Sequence, residues 1–317
     1  MTNYDLKIIL KTVKINRKRG IVMNKKVTKT LTTIATALGL LSLGGMTGNA
    51  NASGFHHCRT HMTAGYHHEY HHYYHHENYN RDNDNGFGSQ EGKTINEQLA
   101  DSVMTANVKS QLGNNIQYNG HGAFIINNNQ STLNANVNVA PYATNEVDSM
   151  GRPTIGNAFL NKTCRQYKNR QETGNGASEW KPKGFHQLSD LRGGYTHAYD
   201  RGHLLGYALV GSIKGFNASE SNPKNIATQT AWANEAGDKD NTGQNYYEGI
   251  VRKALDEGKK VRYQVQDVYD GNNIVPSGAH IQAKSTDGSV NFNVFVPNVQ
   301  SNIKINYATG VATPANN

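Results

Sequence analysis

Between residues 55 and 90 the chain has almost no aliphatic side chains, which confines any core to residues beyond 90. His56, His57, His61, His67, His68, His71, His72, His75 and His76 alternate there with Tyr66, Tyr70, Tyr73, Tyr74 and Tyr79, and Asn, Asp and Gly run on through Gly88. Without apolar surface to bury, nothing offsets the entropy of ordering such a segment. Residues 53–95 therefore read as a disordered spacer. No histidine pair has the fixed ligand geometry of a structural zinc site. The tract offers instead loose Zn2+ or Cu2+ binding, or a cationic surface below about pH 6.5.

Upstream, residues 1–52 read as a leader. Met23-Asn24-Lys25-Lys26 gives a positive start, Leu31 to Leu43 is apolar, and Ala50-Asn51-Ala52 is a small-x-small cleavage signal. A functional start at Met23 fits this pattern better than Met1. The apolar stretch is shorter than the roughly 20 residues a membrane span needs. The expectation is a secreted, extracellular protein, with an uncleaved membrane anchor as the alternative.

Charge follows the same division. Of 32 basic and 24 acidic residues, nine and one fall within residues 1–52, which leaves 23 of each for the rest. The formal +8 thus belongs to the leader and does not indicate a nucleic-acid partner. Arg152 to His203, however, holds nine basic side chains against four acids, a local excess able to meet phosphate oxygens. Two cysteines, Cys58 and Cys164, do not make a disulfide framework; a bridge between them stays open. The fold must rest on the core that about 220 residues can bury.

Within 96–317, Gly122 to Ile126 reads as a short strand. Val261, Tyr263 and Val265 alternate with polar residues, as do Val290, Phe292 and Val294, which predicts two half-buried strands. Tyr247, Ile250, Val251, Ala254 and Leu255 recur at helical spacing, with Gly258 suited to the helix end. The prediction is an α+β domain with a central antiparallel sheet, flanking helices and long loops. Trp232, Tyr246 and Tyr247 read as core, His186 and His280 as surface or capping residues, and His121 as part of a turn.

The chemistry concentrates at Asp200-Arg201-Gly202-His203. Hydrolysing a phosphodiester needs a base for water and cationic groups to meet charge on phosphorus, with a divalent metal commonly supplying the latter. An imidazole changes charge near neutral pH, Arg201 offers a fork for phosphate, and Asp200 can orient a neighbour.

Tyr195 to Tyr207, Ser221 to Asn234 and Thr242 to Glu248 together resemble the DNA/RNA non-specific endonucleases of the ββα-metal (His-Me finger) superfamily, above all the DNA-entry nuclease type of Gram-positive bacteria. The resemblance runs from about residue 100 to 310. It implies a ββα-metal core and a magnesium-dependent endonuclease, with Mn2+ able to substitute and the backbones of DNA and RNA as partners. It implies His203 as general base and Asn234 as the single direct protein ligand of Mg2+. Glu248 would hold a metal-bound water, Arg201 would bind phosphate and Asp200 would shape the motif. Asn225, Gln229 and His197 would support the site or touch substrate. Asn225, following Pro223, could equally be a turn residue or helix cap.

One neutral ligand suits Mg2+, which keeps several waters. Asn234 and Glu248 lie 14 residues apart, but Gly237, Asp238, Asp240, Asn241 and Gly243 are poor helix formers, so a loop between two helical pieces is expected. In the family this is a finger-like loop near the substrate, and Asp238, Lys239 and Asp240 depart from it in charge. Nothing calls for an obligate protein partner. Other classes are a non-catalytic surface protein for DNA binding or uptake, a metal-binding surface protein working through its histidine tract, and a phosphatase-like hydrolase. The last would show more carboxylate ligands around His203.

Overall fold

A computed structural model describes residues 94–176 and 179–315. The expected leader and secretory signal, the histidine-rich tract and Cys58 lie outside the described residues, and Cys164 is buried.

Two short helices open the domain, α1 (Glu97–Asp101) and α2 (Ala106–Leu112). Their starts are set by side chains that accept otherwise orphaned helix N–H groups: Asn96 from Leu99 and Thr105 from Val108. Seven strands form one antiparallel sheet: β1 (Gln117–Tyr118), β2 (Phe124–Ile125), β3 (Tyr142–Val147), β4 (Pro153–Leu160), β7 (Val261–Val268), β8 (Gly278–Ser285) and β9 (Asn291–Pro297). Their spatial order is β1-β2-β9-β8-β7-β4-β3. β5 (Tyr199–His203) pairs with β6 (Ile226–Thr230), and β10 (Ile303–Ile305) with β11 (Ala312–Pro314), as separate two-stranded ribbons. Helices α3 (Tyr207–Val210) and α4 (Ala231–Glu235) belong to the β5–β6 region, and α5 (Gln244–Asp256) follows.

The alternation read from sequence becomes β7, where Val261, Tyr263 and Val265 are buried and Arg262, Gln264 and Gln266 half-buried. Tyr247, Val251, Ala254 and Leu255 form the buried stripe of α5, which lies against β7 and β8. Past its end Gly258 takes φ +85°, a conformation glycine adopts without steric cost. Trp232 is wholly buried, as expected of core.

His280 corrects the sequence reading. It is buried in β8, with its Nε2 2.6 Å from Asn293 Oδ1 on β9. β8 lies inside the sheet with a strand on each side, and seven of its eight residues are buried. Burial lowers the pKa of the ring, which favours the neutral form. His186 is exposed, and His121 lies in the exposed turn before β2.

Candidate active site

The segment from Tyr199 to Glu235 forms a strand, a return strand and a helix. β5 and β6 pair antiparallel with Asp200 opposite Gln229, Arg201 opposite Thr228 and His203 opposite Ile226. Thr230 ends β6 and caps α4 by accepting the Ala233 N–H. At the other end of the ribbon Asn225 is almost wholly buried. It accepts the Leu205 N–H at 3.1 Å and donates to the Leu205 carbonyl at 3.0 Å. Both faces of its amide are thus engaged by backbone, so Asn225 clips the chain after His203 and contributes support.

The motif has two working ends. Asp200 and His203 are three residues apart, about 10 Å along a strand. At the first end, Asp200 Oδ2 accepts from Asn234 Nδ2 at 3.0 Å, and Asp200 Oδ1 lies 2.9 Å from His197 Nε2. Asn234 Oδ1 is buried with no hydrogen-bond partner. The amide is thereby oriented: its nitrogen is held by the carboxylate and its oxygen is left as a bare neutral donor. That is the type of ligand a hard divalent cation takes.

Glu235 Oε1 is 3.6 Å from His197 Nε2, and ligand atoms of His197, Asp200 and Glu235 fall within 4.8 Å of one another. Their titrations are interlocked. The hydrogen bond that His197 donates to Asp200, and then the Asp200 charge, raise His197. Burial alone would raise Asp200, but His197, Asn234 and Glu235 outweigh it and hold it below its ordinary value. Desolvation and the Asp200 charge push Glu235 up to about 7.

At the second end, His203 Nε2 is 3.0 Å from Glu248 Oε1. Glu248 is buried on α5. Gln244 Nε2 approaches Glu248 Oε1 at 3.4 Å, and Arg252 Nη1 lies 3.4 Å from Glu248 Oε2. Burial would raise this carboxyl, yet His203, Arg252 and Gln244 together keep it below the usual range. An ionised carboxylate accepts, so the proton on Nε2 points at Glu248, and in the neutral ring the lone pair is on Nδ1. Among the described residues Nδ1 makes no hydrogen bond. Sequence reasoning expects Glu248 to hold a metal-bound water; the structure brings its carboxylate to His203, Gln244 and Arg252.

Gln244 also donates to the His203 carbonyl at 2.6 Å and accepts from Gln229 Nε2 at 3.0 Å. Gln229 reaches it only because residue 202 is glycine: a Cβ there would lie 2.3 Å from Gln229 Cβ. Arg201 is anchored by its Nε, which donates to the Trp180 carbonyl at 2.9 Å, and its guanidinium lies 5.8 Å from the Phe185 ring centroid. Gln244, Arg252 and Glu235 were not singled out by sequence. For the first two a signal exists: with Glu248 they occupy 244, 248 and 252, one helix face. The 237–243 segment joins α4 to α5 as the expected loop, with residues 237–240 exposed and an isolated bridge between Asp238 and Asn241.

Comparison with known proteins gives this geometry its context. The sequence profile of the DNA/RNA non-specific endonuclease family matches residues 120–313. Among solved structures, NucA from Streptococcus agalactiae with magnesium ion bound is similar at 47% identity and a TM-score of 0.64, covering 66% of this chain and 95% of that one. The same nuclease with no metal bound gives 46% identity and a TM-score of 0.59, covering 63% and 90%. A mixed α+β core with β5, β6 and α4 as its ββα unit is the architecture expected from the motif. The chain is a nuclease and belongs to the DNA/RNA non-specific endonuclease family.

Proposed function

We propose that this nuclease is a secreted, sequence-non-specific endonuclease that hydrolyses DNA and RNA, with water activated at His203 and one Mg2+ held by Asn234. The observation that carries the reading is the bare, oriented Asn234 oxygen at one end of β5, with a His203 ring at the other whose Nε2 is fixed by Glu248. Secretion rests on the composition of residues 23–52 alone.

In this reading water gives its proton to His203 Nδ1 as it attacks phosphorus, and the P–O3′ bond breaks, the departing oxygen taking its proton from solvent. Glu248 fixes the tautomer and stabilises the imidazolium that forms, the role a buried carboxylate plays toward a catalytic histidine. Asp200 holds the Asn234 nitrogen, which would leave the oxygen to hold the cation, and His197 in turn holds Asp200. Arg201, fixed by the Trp180 carbonyl, meets phosphate. When bound, the ion supplies charge to the developing oxyanions. The donor set fits Mg2+, and Mn2+, which shares its preference for oxygen ligands, is expected to substitute. Contacts confined to phosphate carry no base information, which gives non-specific cutting a physical basis.

The direct test is digestion of plasmid DNA and of RNA with and without EDTA, beside the His203→Ala protein. EDTA should stop both digestions and added Mg2+ should restore them; cleavage that persists in EDTA would remove the metal from the reading.

Gly206 offers a second, local test. A Cβ at this position would lie 2.6 Å from Glu248 Oε2 and 2.7 Å from Oε1. Gly206→Ala is expected to push the carboxylate off His203 and lower kcat on the order of tenfold. Thermal stability should change less than activity. Wild-type kcat in this variant would show that the His203–Glu248 contact is dispensable.

A further inference from the structure

Asp267 stands where the alternation of β7 calls for an apolar residue, next in the buried series Val261, Tyr263, Val265. It is buried, and its Oδ2 has no hydrogen-bond partner. A cavity of about 10 Å³ opens beside it, the space of a single water centre. The walls of this cavity come from the β5–β6 ribbon and from the seven-stranded sheet. Gly202 and His203 of β5 and Ala227 and Gln229 of β6 line one side, and Asp267 of β7 with Gly278 and Ala279 of β8 line the other.

We propose that Asp267 is a positioning residue of the nuclease site, holding one buried water that braces the Gln229–Gln244 pair behind His203. The inference rests on the reading of His203 as the base. A buried water needs two to four polar partners, and the cavity supplies them. Asp267 Oδ2 is one. Gln229 is another, because its Nε2 is engaged by Gln244 while its oxygen has no protein partner among the described residues. Gln244 then carries the constraint to both members of the dyad, through the His203 carbonyl and Glu248 Oε1. The path from Asp267 thus runs through water, Gln229 and Gln244 to the catalytic ring.

An acid at such a position has a stability cost, and ionisable groups buried against that cost cluster at functional sites. Burial pushes Asp267 up to about 8. The unfolded chain ionises it near pH 4, so between about pH 4 and 8 the folded form carries the extra proton and stability falls as pH rises. Among the residues lining the cavity His203 is the other titratable group, and Tyr269, two residues along the chain, also feels the Asp267 charge.

Asp267→Val and Asp267→Asn in the full-length protein test the proposal. Valine suits a strand interior and lines the cavity without a polar atom. It should raise Tm above wild type while lowering kcat about tenfold or more, with KM little changed. Asparagine keeps the water's partners and should hold kcat within about threefold of wild type. Its Tm advantage over wild type should grow from pH 4 to 8 and then level off. A valine variant with wild-type kcat overturns the proposal but leaves the nuclease reading intact, whereas an active His203→Ala protein would overturn that reading itself. Should the valine variant fail to fold, a crystal structure of the wild type decides: an ordered water bridging Asp267 and Gln229 upholds the proposal, and a dry cavity rejects it.

Discussion

Replacing His203 with alanine is expected to slow phosphodiester cleavage by about 10²- to 10⁴-fold, the range for loss of a positioned general base, while nucleic-acid binding changes little. The ring belongs to a site-facing strand and its side chain keeps 19% of its exposure, so removing it opens no large core cavity. It does take one partner from Glu248, whose side chain is 5% exposed. That carboxylate retains Gln244 and Arg252, which should keep the variant folded. Since the folded-state value of Glu248 is depressed, the stability it contributes is present above its unfolded pKa and lost as pH falls through the folded one. Losing His203 should bring that acid loss to higher pH. His203→Gln separates the two effects: an amide N–H can still meet Glu248, but no base remains. Acid stability close to wild type with activity as low as alanine's would assign the ring to catalysis. A plasmid cleavage rate equal to wild type in either variant would take His203 out of the mechanism.

Much of this site is legible in the amino-acid sequence because its residues lie close along the chain. Asp200, Arg201 and His203 share a five-residue strand, and Asn234 follows on the helix that the return strand feeds. β7 and α5 are legible for a related reason: their apolar residues recur at the period of the element; β9 shows the same alternation, but six of its seven residues are buried where a half-buried strand is expected. β8 is not. Its Ala-His-Ile-Gln-Ala-Lys run is buried almost throughout, and its polar members are satisfied by distant residues, His280 by Asn293 and Gln282 by Thr132 and Ser131. No local pattern announces such partners. β4 is hidden by Pro153, Gly156 and Asn157, which dilute its alternation. The Glu248 contact with His203 spans 45 residues, and sequence can bring Glu248 to the site without saying which neighbour it meets. Asp267 breaks a visible alternation, yet only the packing of the β5–β6 ribbon over the sheet shows that the break faces a water-sized space.

Asn234→Ala is expected to raise the Mg2+ concentration needed for half-maximal cleavage by at least the 10- to 100-fold range typical of losing even an outer-sphere partner. The alanine takes away the amide oxygen that Asp200 leaves without a hydrogen-bond partner. Asp200→Asn is the sharper companion, because it leaves the Asn234 oxygen itself in place. An ionised Asp200 can only accept, so it holds the Asn234 amide with nitrogen toward itself and leaves the oxygen without a partner. An amide at 200 can donate as well, which permits the Asn234 side chain to turn over and offer its NH2 to the cation. Mg2+ affinity should then fall by about 10- to 100-fold, and high Mg2+ should recover part of the lost rate. His197 provides the control on this logic: it touches Asp200 Oδ1 and leaves the Asn234 bond on Oδ2 in place, so His197→Ala should shift the Mg2+ dependence less than Asp200→Asn. Titrating Mg2+ against cleavage rate for the three proteins checks the order. If Asn234→Ala responds to Mg2+ as wild type does, the cation is held elsewhere, and the oriented amide has some other purpose.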